Sequence, residues 1–493
     1  MGVVWQVMAV RGVIIWSWAR EVHGMMRSMA VKKNRELELY IEKMAFGGKG
    51  LAFRDGFVVF VEGAVVGDKV RVKVYKKKKD YAEARVLEVV DPSPDRVAPH
   101  CRYVPFCGGC QWQYISYKAQ LKYKTKFVEE ALAHIGGFKD ISIGPIMPSE
   151  KIFGYRNKME FSFSDKPWLP PEEFQKGGGI PPFALGLHLP GTFNKIIDME
   201  ECLLQPPLGN QILKLVKAYV ASSGLPAYNQ KTHEGFWRFL CLRHSDAHNE
   251  WMVNLVTSEE RVDVLEPLAQ RLKTHVPTIR TVVNNITRRR AGVAVGERET
   301  TLLGDGMIED RIGPYRFRIS ANSFFQTNTR GAKRLYEKVI EFAALSGKER
   351  VVDLYCGTGT ISIFLAKRAL RVTGLEISEV AVRDAQKNCR DNFVDNCEFI
   401  AGDIRETFSL INEDVDVVVV DPPRAGMHRD VVRRLLSLSP PIIVYVSCNP
   451  STLARDLEMM KGHYSLEKIQ PIDMFPHTYH VESVARLVKT NLT

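Results

Sequence analysis

The sequence predicts a three-part α/β protein: a small all-β barrel, a central α+β segment and a C-terminal doubly wound sheet. Three observations lead there. The chain has 493 residues, more than one hydrophobic core serves at the usual ~100–200 residues per domain. Residues 36–90 read as short strands that alternate apolar with polar side chains and break at glycines. From about Gly331, buried apolar runs alternate with helical stretches, the pattern of parallel strands joined by crossover helices. The expected divisions are an unplaced extension at 1–30, the barrel at 31–92, the central segment at 93–330 and the sheet at 331–493.

Composition narrows the partners. Hydrophobic residues make up 45% and charged ones 25%, a balance that excludes wholesale disorder. Lys and Arg number 68 against 57 Asp and Glu, a net charge of +11, which favours an anionic partner. Nucleic acid leads over a membrane surface, because aromatics are well represented and no basic amphipathic anchor stands out. No run approaches the ~20 apolar residues a membrane span needs, so no membrane partner is expected. The apolar opening is broken by Arg11 and Arg20 and lacks the plan of a secretion signal. Methionines crowd at Met25, Met26 and Met29, so residues 1–28 are expected to be an upstream mis-start or a poorly ordered tail. Nine cysteines, an odd number, suit a reducing cytoplasm better than a disulfide framework.

Taken in order, the strands of 36–90 suit a small barrel of the OB type with turns at Gly63 and Gly67. Lys76–Lys79, flanked by Tyr75 and Tyr81, fall on a loop or strand end. They read equally as an RNA contact, combining phosphate attraction with stacking, or as a solvated loop. DPSPDRVAPH (91–100) is a connector, and a helix runs from about Ser116 to Ala133. FGYRNKMEFSFS and TVVNNIT are strand-like, and the Pro- and Gly-rich stretch 167–182 is expected to be a surface loop.

Cys101, Cys107 and Cys110 form a C-x5-C-x2-C array, with Gly108 and Gly109 allowing the backbone to fold closely around an inorganic core. That suits an iron–sulfur cluster, with Cys202 the best remaining fourth ligand. Zinc in a closed four-thiolate site is the competitor.

DLYCGTGTIS (353–362) follows an apolar strand and opens a helix, so Gly357 and Gly359 permit a tight turn and close approach of a ligand. Glu376 ends the next strand, where it can bond ribose hydroxyls. NAD binding is disfavoured because Ser362 stands where a third glycine belongs, and Gly402-Asp403 ends a third strand where an acid meets an adenine edge. Asp421-Pro422-Pro423 ends a fourth. Together these are landmarks of an S-adenosylmethionine-dependent methyltransferase sheet.

Cys448, in VSCNPSTL, falls at the carboxyl end of a buried strand, before a helix that Asn449 or Ser451 can cap and Pro450 can open. The dipole of that helix and Arg424 favour a thiolate, whereas Cys241, Cys389 and Cys397 read as small buried hydrophobes. A methyltransferase needs a thiolate when its target is pyrimidine C5. Thiolate addition to C6 makes C5 nucleophilic, and a base must then remove the C5 hydrogen. Glu482, with His477 and His480 nearby, is a candidate base; its competing reading is a solvated glutamate on a terminal strand.

With SANSFFQTN, DLYCGTGT, DPPRAG, SCNP and HTYHVE in order behind the cysteine array, the chain over 31–493 resembles the RNA 5-methyluridine methyltransferase family. Within it, the likeness is to the iron–sulfur branch that acts on 23S ribosomal RNA and carries an N-terminal TRAM domain. The resemblance implies a Rossmann-like catalytic domain, an OB-like TRAM barrel and a central α+β iron–sulfur domain. It implies Cys448 as nucleophile, Glu482 as proton acceptor, and a [4Fe–4S] cluster on Cys101, Cys107, Cys110 and Cys202. It puts Gln326, Tyr355, Glu376 and Asp421 at S-adenosylmethionine contacts, with Asp403 a further one, and Phe324 beside Gln326 where a ring can hold the target base. Thr360 departs from the asparagine that relatives often carry. The expected partner is large-subunit ribosomal RNA, the expected state a monomer. A transfer-RNA uridine methyltransferase and an amino-group methyltransferase that does not use the cysteine are the alternatives; against the second, Arg424 follows the prolines where a stacking aromatic is wanted.

Overall fold

The computed structural model describes residues 6–10, 13–17, 31–139, 141–170, 174, 179, 181–290, 292–411 and 414–490. Within the N-terminal extension, β1 (Gln6–Val10) and β2 (Val13–Ser17) pair as an antiparallel ribbon. The expectation for residues 1–28 is an upstream mis-start or a poorly ordered tail; apart from these two strands, that stretch lies outside the described residues.

The barrel segment is a six-stranded sheet built from β3 (Glu36–Tyr40), β4 (Lys43–Met44), β5 (Gly50–Arg54), β6 (Phe57–Glu62), β7 (Lys69–Lys77) and β8 (Tyr81–Asp91), in the order β3-β7-β8-β6-β5-β4. Alternation is clearest in β7, where Val70, Val72 and Val74 point into the core and the intervening Lys69, Arg71 and Lys73 point outward. Gly63 and Gly67 take left-handed φ values of 82° and 93° at the turns. The lysine run straddles the end of β7, and Lys76 is already paired with Glu83 there.

Helix α1 (Tyr117–His134) starts at Ser116, whose Oγ accepts from the Ala119 N–H at 3.3 Å. The central sheet has eight strands: β9 (Lys158–Ser164), β10 (Pro167–Trp168), β11 (Ala184–His188), β12 (Ile196–Asp198), β13 (Trp237–His244), β14 (Trp251–Thr257), β15 (Ile279–Ile286) and β16 (Arg298–Leu303). Helices α2 (Pro207–Ser222) and α3 (Val262–His275) pack on it through Leu213, Val216, Leu268 and Leu272. Of the expected surface loop at 167–182, Pro167 and Trp168 instead pair with β12 as β10, and most of 171–180 falls outside the described residues. The ribbon β17 (Met307–Ile312) and β18 (Tyr315–Ser320) leads into α4 (Thr329–Ala343), capped by Asn328.

The C-terminal sheet contains β19 (Arg350–Leu354), β20 (Arg371–Glu376), β21 (Cys397–Ala401), β22 (Val417–Val420), β23 (Ile442–Ser447), β24 (Tyr464–Ile472) and β25 (Glu482–Lys489), in the order β21-β20-β19-β22-β23-β25-β24. Helices α5 (Thr360–Ala366), α6 (Glu379–Asp391), α7 (Ile404–Thr407), α8 (Arg429–Leu438) and α9 (Pro450–Met460) alternate with its strands. The first five strands are parallel, and the central ones are buried on both faces, as in the all-valine β22. The last two depart from a purely parallel sheet: β25 runs antiparallel to both β23 and β24. No crossover helix follows β24, so the chain turns straight back. That reversal decides the geometry of the site.

Candidate active site

The carboxyl ends of β19, β20, β22 and β23 open onto a cavity of about 940 Å³. At its centre the antiparallel register brings two sequence-predicted residues together. The ladder ends at Ser447 paired with Ser483. Cys448 follows the one and Glu482 precedes the other, and both line the cavity, where the Glu482 charge acts on the Cys448 thiol. Asn449 caps α9 through its Oδ1, which accepts from the Ser451 N–H at 3.1 Å, and Pro450 takes the first turn.

Burial dominates the electrostatics. Glu482 is only 8% exposed, and removal from water, reinforced by the Asp421 carboxylate and opposed by Arg424, raises its pKa to about 8. Asp421 itself is pushed up to about 6 by burial. The Cys448 thiol is raised to about 11, first by burial and then by Glu482, with Arg424 pulling it back. This corrects the expectation of a ready thiolate: desolvation and two neighbouring acids outweigh the helix terminus and the guanidinium. It also removes Glu482 from the solvated-strand reading. Arg424 links the group, bonding the thiol and reaching the His480 ring.

The glycine loop supplies the other wall. Gly357 and Gly359 have φ values of 56° and 74°. A Cβ on Gly359 would lie 2.9 Å from the Cβ of Ala385 and 3.0 Å from Phe399, so glycine is required there for close packing as well as for the turn. The Glu376 carboxylate accepts from the Gly357 N–H at 3.1 Å and the Ser378 N–H at 2.9 Å, which holds it at the lip of the cavity. Ser362, the missing third glycine, donates to Asp353 at 2.6 Å inside the core. Tyr355, Gln326 and Phe324 also line the cavity, and Phe324, 68% exposed, presents its ring at the rim. Thr360 sits at the start of α5 with its hydroxyl 3.2 Å from that of Tyr336.

Not every predicted residue converges. Asp403 caps α7 and pairs with Arg405, which holds its carboxyl down at about 2; it is not among the residues lining the cavity. His477 is buried away from the cavity, stacked on Phe153 with centroids 4.3 Å apart. Several lining residues escaped sequence reasoning, Arg156 and Asp384 being the charged ones. Arg156 arrives from the loop before β9, and no local pattern marks it, because only the tertiary fold carries it to a sheet beginning almost 200 positions later.

Cys101, Cys107, Cys110 and Cys202 all belong to one buried core cluster. Their thiols act on one another electrostatically, and burial with this mutual repulsion raises Cys107 and Cys110 to about 12. The Cys107 sulfur accepts from the Gly109 N–H at 3.3 Å. Among the described residues, no set of three or more His, Cys, Asp or Glu side chains is arranged to hold a metal ion. Nor, among them, is any helix long and apolar enough to cross a membrane.

Comparison with known proteins converges on one lineage. Residues 244–490 match the family model described as tRNA (uracil-5-)-methyltransferase, and residues 30–87 match the TRAM domain. An RNA methyltransferase of Chlorobaculum tepidum, named as uncharacterized, is 42% identical over 87% of this chain and 91% of its own length. Another from Halalkalibacterium halodurans is 38% identical over 94% and 98%. Among solved structures, the Pyrococcus abyssi tRNA (uracil-54, C5)-methyltransferase in complex with S-adenosyl-L-homocysteine superposes with a TM-score of 0.72 at 32% identity, covering 92% of this chain and all of that one.

Proposed function

Because the chain belongs to the tRNA (uracil-5-)-methyltransferase family and carries a TRAM domain, we propose that it methylates uridine C5 in RNA through a covalent adduct between Cys448 and C6. The observation that carries this reading is the meeting of Cys448 and Glu482 in one cavity, close enough for their charges to act on each other. An amino-group methyltransferase has no use for a thiol beside a carboxyl.

The target uridine must leave its stack, which costs a few kcal/mol, and Phe324 at the rim offers a ring to offset part of that. Gln326, Tyr355, Glu376 and Asp421 would hold S-adenosylmethionine, with Asp403, whose carboxylate lies against Arg405 in this structure, a further contact. When bound, S-adenosylmethionine supplies an electrophilic methyl on a cationic sulfonium, whose charge favours the ionised forms of the acids around it. Ionised Glu482 takes the Cys448 proton and passes it to solvent. The thiolate, its charge stabilised by Arg424, adds to C6. The C5=C6 electron pair moves onto the C4 carbonyl as an enolate, and C5 then takes the methyl. With the methyl on C5, Glu482 takes the C5 proton, the C5=C6 bond re-forms and the Cys448 sulfur leaves.

The four-cysteine site fits a [4Fe–4S] cluster in its donor set: four buried thiols in one core, three of them accepting backbone amides. A tetranuclear cluster holds its thiolates farther apart than one zinc ion does, so the two readings ask for different geometry. These cysteines hold structure or position RNA, and no step of the reaction runs through them.

For the RNA, the cysteine array supports large-subunit ribosomal RNA. The second reading, transfer RNA, is favoured by the likeness to the Pyrococcus abyssi tRNA (uracil-54, C5)-methyltransferase. Mapping 5-methyluridine in both RNAs from cells lacking the protein separates them. RNA carrying 5-fluorouracil at the target, given the methyl donor, should cross-link through Cys448; an intact Cys448→Ala variant with full activity would refute the adduct.

A further inference from the structure

Glu482 is the first residue of β25, and the nine residues before it (473–481) form the return from β24. Four consecutive carbonyls in that return are each gripped by a residue from elsewhere. Asn328 Nδ2 donates to Met474 O at 2.8 Å, Lys124 Nζ to Phe475 O at 3.0 Å, and Tyr155 Oη to Pro476 O at 3.1 Å. The His477 carbonyl accepts two amides in succession, from Gln111 at 2.9 Å and Trp112 at 3.0 Å.

Side chains secure the same stretch. Lys124, fully buried, reaches Asp473 Oδ1 at 2.6 Å. Gln120 Oε1 accepts from the His477 N–H at 2.8 Å, and its Nε2 lies 3.2 Å from the His477 ring. His477 itself holds φ at 65°, a left-handed conformation that a histidine keeps only where its surroundings impose it.

The sources of these bonds are informative. Gln111 and Trp112 directly follow Cys110, Gln120 and Lys124 lie on α1, and Tyr155 precedes the cavity residue Arg156. Downstream, the held stretch delivers His480, which meets Arg424 at the Cys448 thiol, and then Glu482. Backbone carbonyls saturated by outside donors are a device for fixing a chain that belongs to neither a helix nor a sheet.

We propose that residues 473–477 are a strap by which α1 and the cysteine loop position Glu482, with Lys124 and Gln120 as its positioning residues. This rests on Glu482 being the base that resolves the Cys448 adduct. The cysteine loop thereby gains a second role, because the segment carrying Cys107 and Cys110 braces the base from behind.

The test separates adduct formation from adduct resolution in single turnovers of the full-length, metal-loaded protein with target RNA and S-adenosylmethionine. Gln120→Leu and the paired change Lys124→Met with Asp473→Leu, which leaves no lone buried charge, should form adduct at close to the parent rate. They should resolve it about tenfold more slowly or worse, so that methylated RNA–protein complex accumulates. Iron content and S-adenosylmethionine affinity should be unchanged. Formation and resolution falling together, or neither changing, would overturn the proposal. If the paired change does not fold, Gln120→Leu alone decides. Glu482→Gln, run beside them, keeps the two ideas apart. Accumulation there without accumulation in Gln120→Leu sinks only the strap, whereas normal turnover in Glu482→Gln sinks the base on which it rests.

Discussion

The pH dependence of turnover can be worked from the cavity itself. Before reaction Glu482 and Cys448 share one cavity, with pKa values of about 8 and about 11, so near neutrality both are mostly protonated. The reaction needs one proton removed from this pair, and the first to leave does so with an apparent value near 8 that belongs to the pair. Below it, kcat/KM should fall tenfold per pH unit, and at pH 6, two units down, by about 100-fold. The assay is initial-rate methyl transfer with RNA and S-adenosylmethionine both held well below saturation, so that the ionisation of the free site is read, from pH 5.5 to 9, checked against RNA binding over the same range. An ordinary exposed glutamate would put the midpoint near 4.5 and leave the profile flat from 6 to 9. A flat profile would therefore refute the argument that burial and Asp421 hold this carboxyl protonated.

Stability should carry the same signature with the opposite sign. Between about 4.5 and 8 the folded state keeps the Glu482 proton that the unfolded chain releases, so its burial costs nothing in acid and progressively more as pH rises, by about 1.4 kcal/mol per unit. Glu482→Gln should accordingly gain thermal stability over the parent at pH 8 and not at pH 4, measured by calorimetric scans; an equal shift at both would contradict this. Gly359→Ala must accommodate a 2.9 Å contact at positive φ and should lose about 1–3 kcal/mol of stability, together with S-adenosylmethionine affinity by titration calorimetry. Protein purified without oxygen should contain about four irons per chain by metal analysis, and zinc without iron would replace the cluster reading.

How much of this is legible in the chain follows from the range of the interactions. The β7 alternation, the Ser116 and Asn449 caps and the glycine turn are local, so residue order alone implies them. The parallel strands are legible because burial on both faces leaves continuous apolar runs such as VVVV. The antiparallel return is not, since a strand's direction depends on the connection before it rather than on its own composition. Asp403 shows what position alone leaves out: the end of a third parallel strand is a binding position, and the Arg405 partner two residues on that neutralises the carboxylate is seen only in the fold.

Titration state is the other quantity that sequence conceals. A glutamate one residue into a terminal strand and a cysteine beside a helix start read as a solvated acid and an activated thiol. The fold reverses both, because pairing β25 against β23 buries them together with Asp421 around Arg424. A single guanidinium facing three acids of elevated pKa is a site held neutral until positive charge enters it. The same antiparallel turn that escapes the sequence therefore accounts for the proximity of the proposed nucleophile and base, and in the proposed reaction it would couple their ionisation to arrival of the cationic methyl donor. Were S-adenosylmethionine binding to leave the apparent pKa of the pair unshifted, proximity would stand but that coupling would not.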